Sequence, residues 1–169
     1  MSIKQFTYSE LMSFNPCYDP TRVNDWTGDI RKALLDNTFD IQDLAWLIFR
    51  EEFISDKLMR QGAINLVELL PQTNPDYLSM ISIAKSFLDG TITSEDMEIE
   101  YKAGISVLRS AQGNYSCNAA AVSTCCESGR NAIISAVGNV KVYDIDLVPV
   151  IITTLVKLID DGITTGDVY

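Results

Sequence analysis

Apolar residues in this chain recur at three- and four-residue spacing and almost nowhere alternate one by one, and that periodicity confines the chain to helices. After Asp40, the residues Ile41, Leu44, Leu47 and Ile48 mark one helical face and Trp46, Phe49 and Phe53 a second, so this helix is expected to be central and covered on most sides. Ser55-Asp56 reads as a new start. From it Met59, Ala63, Leu66 and Leu70 recur at i, i+4, i+7 and i+11 until Pro71 ends the pattern.

The residues between the periodic segments are helix punctuation. Thr7-Tyr8-Ser9-Glu10 has the form of a capping box opening a short helix, and Asn15 to Asn24, with Pro16 and Pro20, reads as a loop. Thr27 or Asp29 is the candidate cap of a helix running to about Asp36. Asn74-Pro75 combines a cap with a first-turn proline, and Tyr77, Ile81, Ala84 and Leu88 lead to a stop at Gly90. Thr93-Ser94-Glu95-Asp96 is a second capping box above Met97, Tyr101, Ile105 and Leu108, with a break at Gln112-Gly113-Asn114.

Cys117 to about Val137 is rich in Ala, Ser, Cys and Gly and is expected to be a helix that a neighbour approaches closely. Asp146 is the expected cap of the last helix, with Pro149 in its first turn and Val148, Ile151, Ile152, Leu155 and Ile159 apolar. The β-branched run from Val148 to Thr154 has strand character too, but its length and spacing favour a helix. A length of 169 residues suits one domain. The expectation is an all-α, single-domain multi-helix bundle of about seven helices over residues 1–161, with 162–169 a mobile C-terminal tail.

Charge limits the partners. There are 23 acids, 13 bases and no histidine, for a formal net charge of −10, and both halves of the chain share the excess of acid. Binding of nucleic acid by counterion release needs clustered Lys and Arg, and an anionic membrane repels such a chain, so neither is an expected partner. No apolar run reaches the roughly 18–20 residues of a spanning helix. The first residues carry no apolar secretory stretch, so a cytoplasmic location is expected, with Cys17, Cys117, Cys125 and Cys126 as free thiols. No CxxC pair and no histidine are present to complete a tetrahedral zinc site, so no metal or other cofactor is expected.

Without histidine the default general base near neutral pH is missing, and Ser-His-Asp and Cys-His arrangements with it. No phosphate-cradling glycine motif occurs either. Helical carboxylate pairs remain. Asp40/Asp43 and Glu95/Glu98 have the i, i+3 spacing of a Mg²⁺ site, so an all-α Mg²⁺-dependent nucleotide hydrolase is the alternative reading. Its second acidic pair is missing, because only Glu127 lies between Glu100 and Asp144. Acids at helix starts also complement the helix dipole without further function. No catalytic residue set emerges.

The candidate partner-binding residues are the acidic stretch Asp89, Glu95, Asp96, Glu98 and Glu100, together with Tyr18, Asp19 and Trp26 in or beside the proline-containing loop. Trp46 reads as core and Cys125-Cys126 as packing, a reactive thiol needing a nearby cation for which Arg130 is a loose candidate. Self-association through the 117–137 segment or the last helix, giving a homodimer, is a third reading.

Asn15-Pro16-Cys17-Tyr18-Asp19-Pro20 resembles a loop in a family of small helical proteins of bacteria and tailed phages labelled immunity proteins. The segment Leu44-Ala45-Trp46-Leu47-Ile48-Phe49-Arg50-Glu51-Glu52-Phe53-Ile54-Ser55-Asp56-Lys57, followed by Arg60, is similar to that family's second block. Ala84 to Glu95 is similar to its helix, glycine stop and capped restart. The resemblance covers about residues 8–130 and is strongest in the first two blocks; the residues from Val140 onward match nothing in it. It implies an all-α fold and a binding role, with another protein as partner, in the manner of an immunity-type neutraliser or a phage-encoded inhibitor of a host defence system.

Overall fold

The computed structural model describes residues 8–14, 30–35, 40–71, 75–110 and 115–168. Their helices are α1 (Tyr8–Ser13), α2 (Ile30–Leu35), α3 (Ile41–Ile48), α4 (Asp56–Val67), α5 (Pro75–Leu88), α6 (Ser94–Ser110), α7 (Tyr115–Ser123), α8 (Gly129–Tyr143) and α9 (Val148–Thr165), with a single 3-10 turn at Ile145–Leu147. The fold is an all-α single-domain bundle, and seven of these helices are eight residues or longer. Among the described residues the only extended pairing is one isolated antiparallel bridge between Ile54 and Val168. No described helix is long and apolar enough to cross a membrane.

Helix starts follow local hydrogen bonding. Asp40 caps α3 by accepting from the Gln42 amide at 2.9 Å, and Ser55 caps α4 by accepting from the Leu58 amide at 3.2 Å. At α6 the Asp96 amide donates to Thr93 Oγ1 at 3.2 Å, and Asp96 Oδ2 takes the Thr93 amide at 2.9 Å, which is the reciprocal capping box. Gly90, at φ 73°, ends α5: its own amide donates to the Phe87 carbonyl and the Thr91 amide to the Ser86 carbonyl, a left-handed close that only glycine enters without strain. The expected caps at Thr7, Thr27, Asp29 and Asn74, the Asn15–Asn24 loop and the Gln112–Asn114 break lie outside the described residues.

The core forms around α4. Met59, Ala63, Ile64, Leu66 and Val67 are fully buried, and α4 packs along α8 and also touches α5, α7 and α9. The helix α8 is flanked by α3 and α7, α5 lies against α6, and α2 lies against α9. Close approach is required where α8 begins. A Cβ on Gly129 would stand 2.2 Å from the Asp56 carbonyl oxygen, and the Gly129 amide instead donates to Asp56 Oδ1 at 2.5 Å.

Four expectations need correction. The helix after Asp40 stops at Ile48; Phe49 leaves the helical region, and the Phe53 and Ile54 amides both donate to the Arg50 carbonyl, so Phe49 and Phe53 enter the core from a turn. The segment 117–137 is two helices, because residues 124–128 form a turn whose carbonyls are taken by Arg60 and whose Ser128 caps α8. Asp144, and not Asp146, caps the chain after α8, accepting from the Asp146 amide at 2.9 Å, and α9 starts from Leu147 with no side-chain cap. Residues 162–168 are no free tail. The helix α9 runs to Thr165, Gly166 closes it at φ 85°, and Val168 is buried beside Ile54.

Candidate functional site

The head of α6 and the turn between α7 and α8 enclose a cleft of about 650 Å³. Its position follows from two local features. The Thr93–Asp96 box fixes where α6 begins and therefore places Glu95 and Glu98 one turn apart on its first turns. The turn opposite is held by Arg60, which is fully buried: its Nη1 donates to the carbonyls of Thr124 and Cys126 at 2.8 Å each and its Nη2 to that of Glu127 at 3.3 Å.

Carboxylates rim the cleft and its floor is apolar. Glu95, Glu98 and Glu127 line it with one ammonium group, Lys102, which pairs with Glu98 at 2.6 Å. Beneath them lie Met97 and Cys125, both buried, and the half-buried Tyr101. Burial pushes the Tyr101 phenol up, and the Cys126 thiol beside it adds to the shift. The Cys125 thiol donates to the Met80 carbonyl at 3.3 Å, and burial pushes it up to about 11 against the opposing pull of Thr124 and Arg60. Cys126 is raised by burial as well. Both are therefore neutral thiols at pH 7, poor nucleophiles and poor metal ligands. The cation whose charge acts on both is Arg60; Arg130, the candidate suggested by sequence, lies instead over the Trp46 ring at 5.8 Å.

The acids of the stretch do not all line the cleft. Glu95 and Glu98 reach the cleft. Asp96 is engaged in the capping box, where the Thr93 hydroxyl and amide hold its carboxyl below the usual range. Glu100 turns to a smaller cleft of about 170 Å³ shared with Asp76 and Tyr77, and Asp89 is exposed in the α5–α6 connection. Tyr18, Asp19 and Trp26 lie outside the described residues. Among the described residues no three His, Cys, Asp or Glu groups converge to hold a metal ion. Trp46 is only half-buried, between Arg50 at 4.7 Å and Arg130 at 5.8 Å.

Sequence reasoning did not find Glu127, Lys102, Met97, Tyr101 or Cys125 as cleft residues. Glu98 and Lys102 had a local signal, since Glu followed by Lys at i+4 marks an ion pair on one helix face. Glu127 had none, because only the fold of the α7–α8 turn brings it to α6. Chemically, three carboxylates and one ammonium over an apolar floor can receive the aliphatic stem and cationic head of a lysine or arginine side chain. Comparison with protein-family models, with curated proteins and with solved structures finds no match for this chain.

Proposed function

We propose that this protein is a non-enzymatic protein-binding module that engages a basic surface on its partner, as an immunity-type neutraliser or a phage-encoded inhibitor of a host defence system would. The observation that carries this reading is the cleft at the head of α6, where Glu95, Glu98 and Glu127 stand around Met97, Tyr101 and Cys125. The charge of −10 supports it, since a field of one sign speeds encounter with an oppositely charged protein and salt weakens it. The resemblance of the Asn15–Pro20 loop and the Leu44–Lys57 block to the immunity proteins supports it too. The lack of histidine and the neutral state of Cys125 leave Glu95, Glu98 and Glu127 as the anionic groups of the cleft, with no imidazole base and no thiolate nucleophile beside them.

The test is partner capture from lysate at low salt, followed by affinity measurement with the purified partner. Glu95→Lys, Glu98→Lys and Glu127→Lys combined should weaken binding at least about tenfold, and added salt should weaken the wild type more than the variant. Equal capture by wild type and variant, or capture of nothing at low salt, counts against the reading. Turnover of a nucleotide panel with Mg²⁺ would overturn its non-enzymatic part.

A further inference from the structure

A second surface lies where α8 ends and α9 begins, on residues distinct from those of the cleft. Large apolar side chains there face solvent within one short stretch: Val142 is 73% exposed, Ile145 62%, Val150 40% and Tyr143 37%. Single exposed apolar residues are ordinary on a soluble protein, but a run of them on one corner marks a place of contact. The corner has a firm base. Leu147, Val148 and Ile152 of the same stretch pack on the core, and the 3-10 turn touches both α8 and α9.

Its border is acidic. Asp144 and Asp146 are exposed among the apolar side chains, and Asp144 Oδ1 accepts from the Asp146 amide at 2.9 Å, which fixes the turn that presents them. Lys141, the only cation in the stretch from Lys141 to Thr154, is taken by an ion pair with Asp40. A surface of this kind complements an apolar segment edged by cations. A second copy of the chain fits it poorly, because pairing two corners would bring the Asp144 and Asp146 carboxylates of two chains of charge −10 together.

We propose that the α8–α9 corner is a docking surface for an amphipathic basic segment of a partner protein, with Val142, Ile145 and Val150 covering its apolar side and Asp144 and Asp146 meeting its lysines or arginines. The contact is independent of the cleft at α6. It stands or falls without it.

The probe is a fluorescent 18-residue peptide of leucine and lysine in helical register, compared with its leucine and glutamate counterpart by anisotropy. The wild-type protein should bind the lysine peptide and not the glutamate one. The double variant Val142→Ser/Ile145→Ser, at exposed positions where folding is little affected, should bind about tenfold more weakly through lost apolar burial. Asp144→Asn/Asp146→Asn should bind a few-fold more weakly and with less salt dependence. The variant Glu95→Gln/Glu98→Gln/Glu127→Gln should bind the peptide as wild type does, which separates this surface from the cleft. Equal binding of both peptides, no effect of the corner substitutions, or loss of peptide binding in the cleft variant alone would overturn the proposal. So would sedimentation showing a wild-type dimer that Val142→Ser/Ile145→Ser dissociates, since the corner would then be covered by a second copy.

Discussion

Arg60 ties α4 to the α7–α8 turn. It sits on α4 between Met59 and Ala63, is fully buried, spans three carbonyls of the α7–α8 turn, lies 5.1 Å from the Phe87 ring centroid and 3.7 Å from Asp56. Burial lowers its pKa and the Asp56 carboxylate opposes that, yet an arginine stays charged across the physiological range. Replacing it leaves buried carbonyls without donors beside a cavity. Arg60→Ala should therefore cost about 3–5 kcal/mol in urea unfolding, and Arg60→Lys should recover little because one ammonium cannot span the turn. The cysteines give a second expectation at this scale. With its thiol raised to about 11, Cys125 has little thiolate at pH 8, so peptide mapping after treatment with a disulfide reagent should show Cys125 and Cys126 unmodified in the native protein and modified in urea. The setting of small residues around Cys125-Cys126 already pointed to packing. The position of Arg60 among apolar residues pointed to burial only in hindsight, because its three acceptors are more than sixty residues away.

At the scale of the helices, several starts and stops were legible because their determinant is local. Asp40, Ser55, the Thr93–Asp96 box and Gly90 act through bonds that reach no further than five residues, so the residue types alone disclose them. Locality did not suffice everywhere, since the Asp144 cap and the end of α3 at Ile48 are local and were misplaced, and other failures involve a distant group. The small-residue segment from Cys117 to Val137 has no proline, and its local signal for a break is the Ser128 cap on the Asn131 amide. Arg60 and Asp56 of α4 hold that break from afar, taking the turn carbonyls and the Gly129 amide. That dependence is measurable. Gly129→Ala pushes a Cβ into the Asp56 backbone oxygen, which cannot move alone, and should cost about 3 kcal/mol; Gly104→Ala meets the end of the Met80 side chain, which can swing away, and should cost about 1 kcal/mol. Equal costs in urea unfolding would contradict this account of the α4–α8 contact.

For the whole molecule, the end of the chain closes onto the middle of the bundle. Ser55 Oγ donates to Asp167 Oδ1 at 2.8 Å, the Ser55 amide donates to the Asp167 carbonyl at 2.8 Å, and Val168 pairs with Ile54, so the residue that caps α4 is itself held from the C-terminus. The hydroxyls of Thr165 and Ser55 hold the Asp167 carboxyl below its usual range. A group whose folded pKa is depressed adds stability above its unfolded pKa, near 4, and loses it as pH falls through the folded value. Asp167→Asn should thus lower the unfolding free energy by about 1 kcal/mol at pH 7, and the difference should shrink as pH falls below the unfolded value, read from urea midpoints at several pH values. By itself the sequence determined the helical class, the starts at Asp40, Ser55 and the Thr93–Asp96 box, and the want of a histidine base, because periodicity, caps and composition are properties of neighbours along the chain. Only the tertiary structure decided that Glu95 and Glu98 meet Glu127 in a cleft while Asp96 and Glu100 do not, that 117–137 is broken, and that 162–168 is anchored. Each of those depends on groups far apart in sequence, whose meeting is set by how the buried faces of α4, α8 and α9 pack.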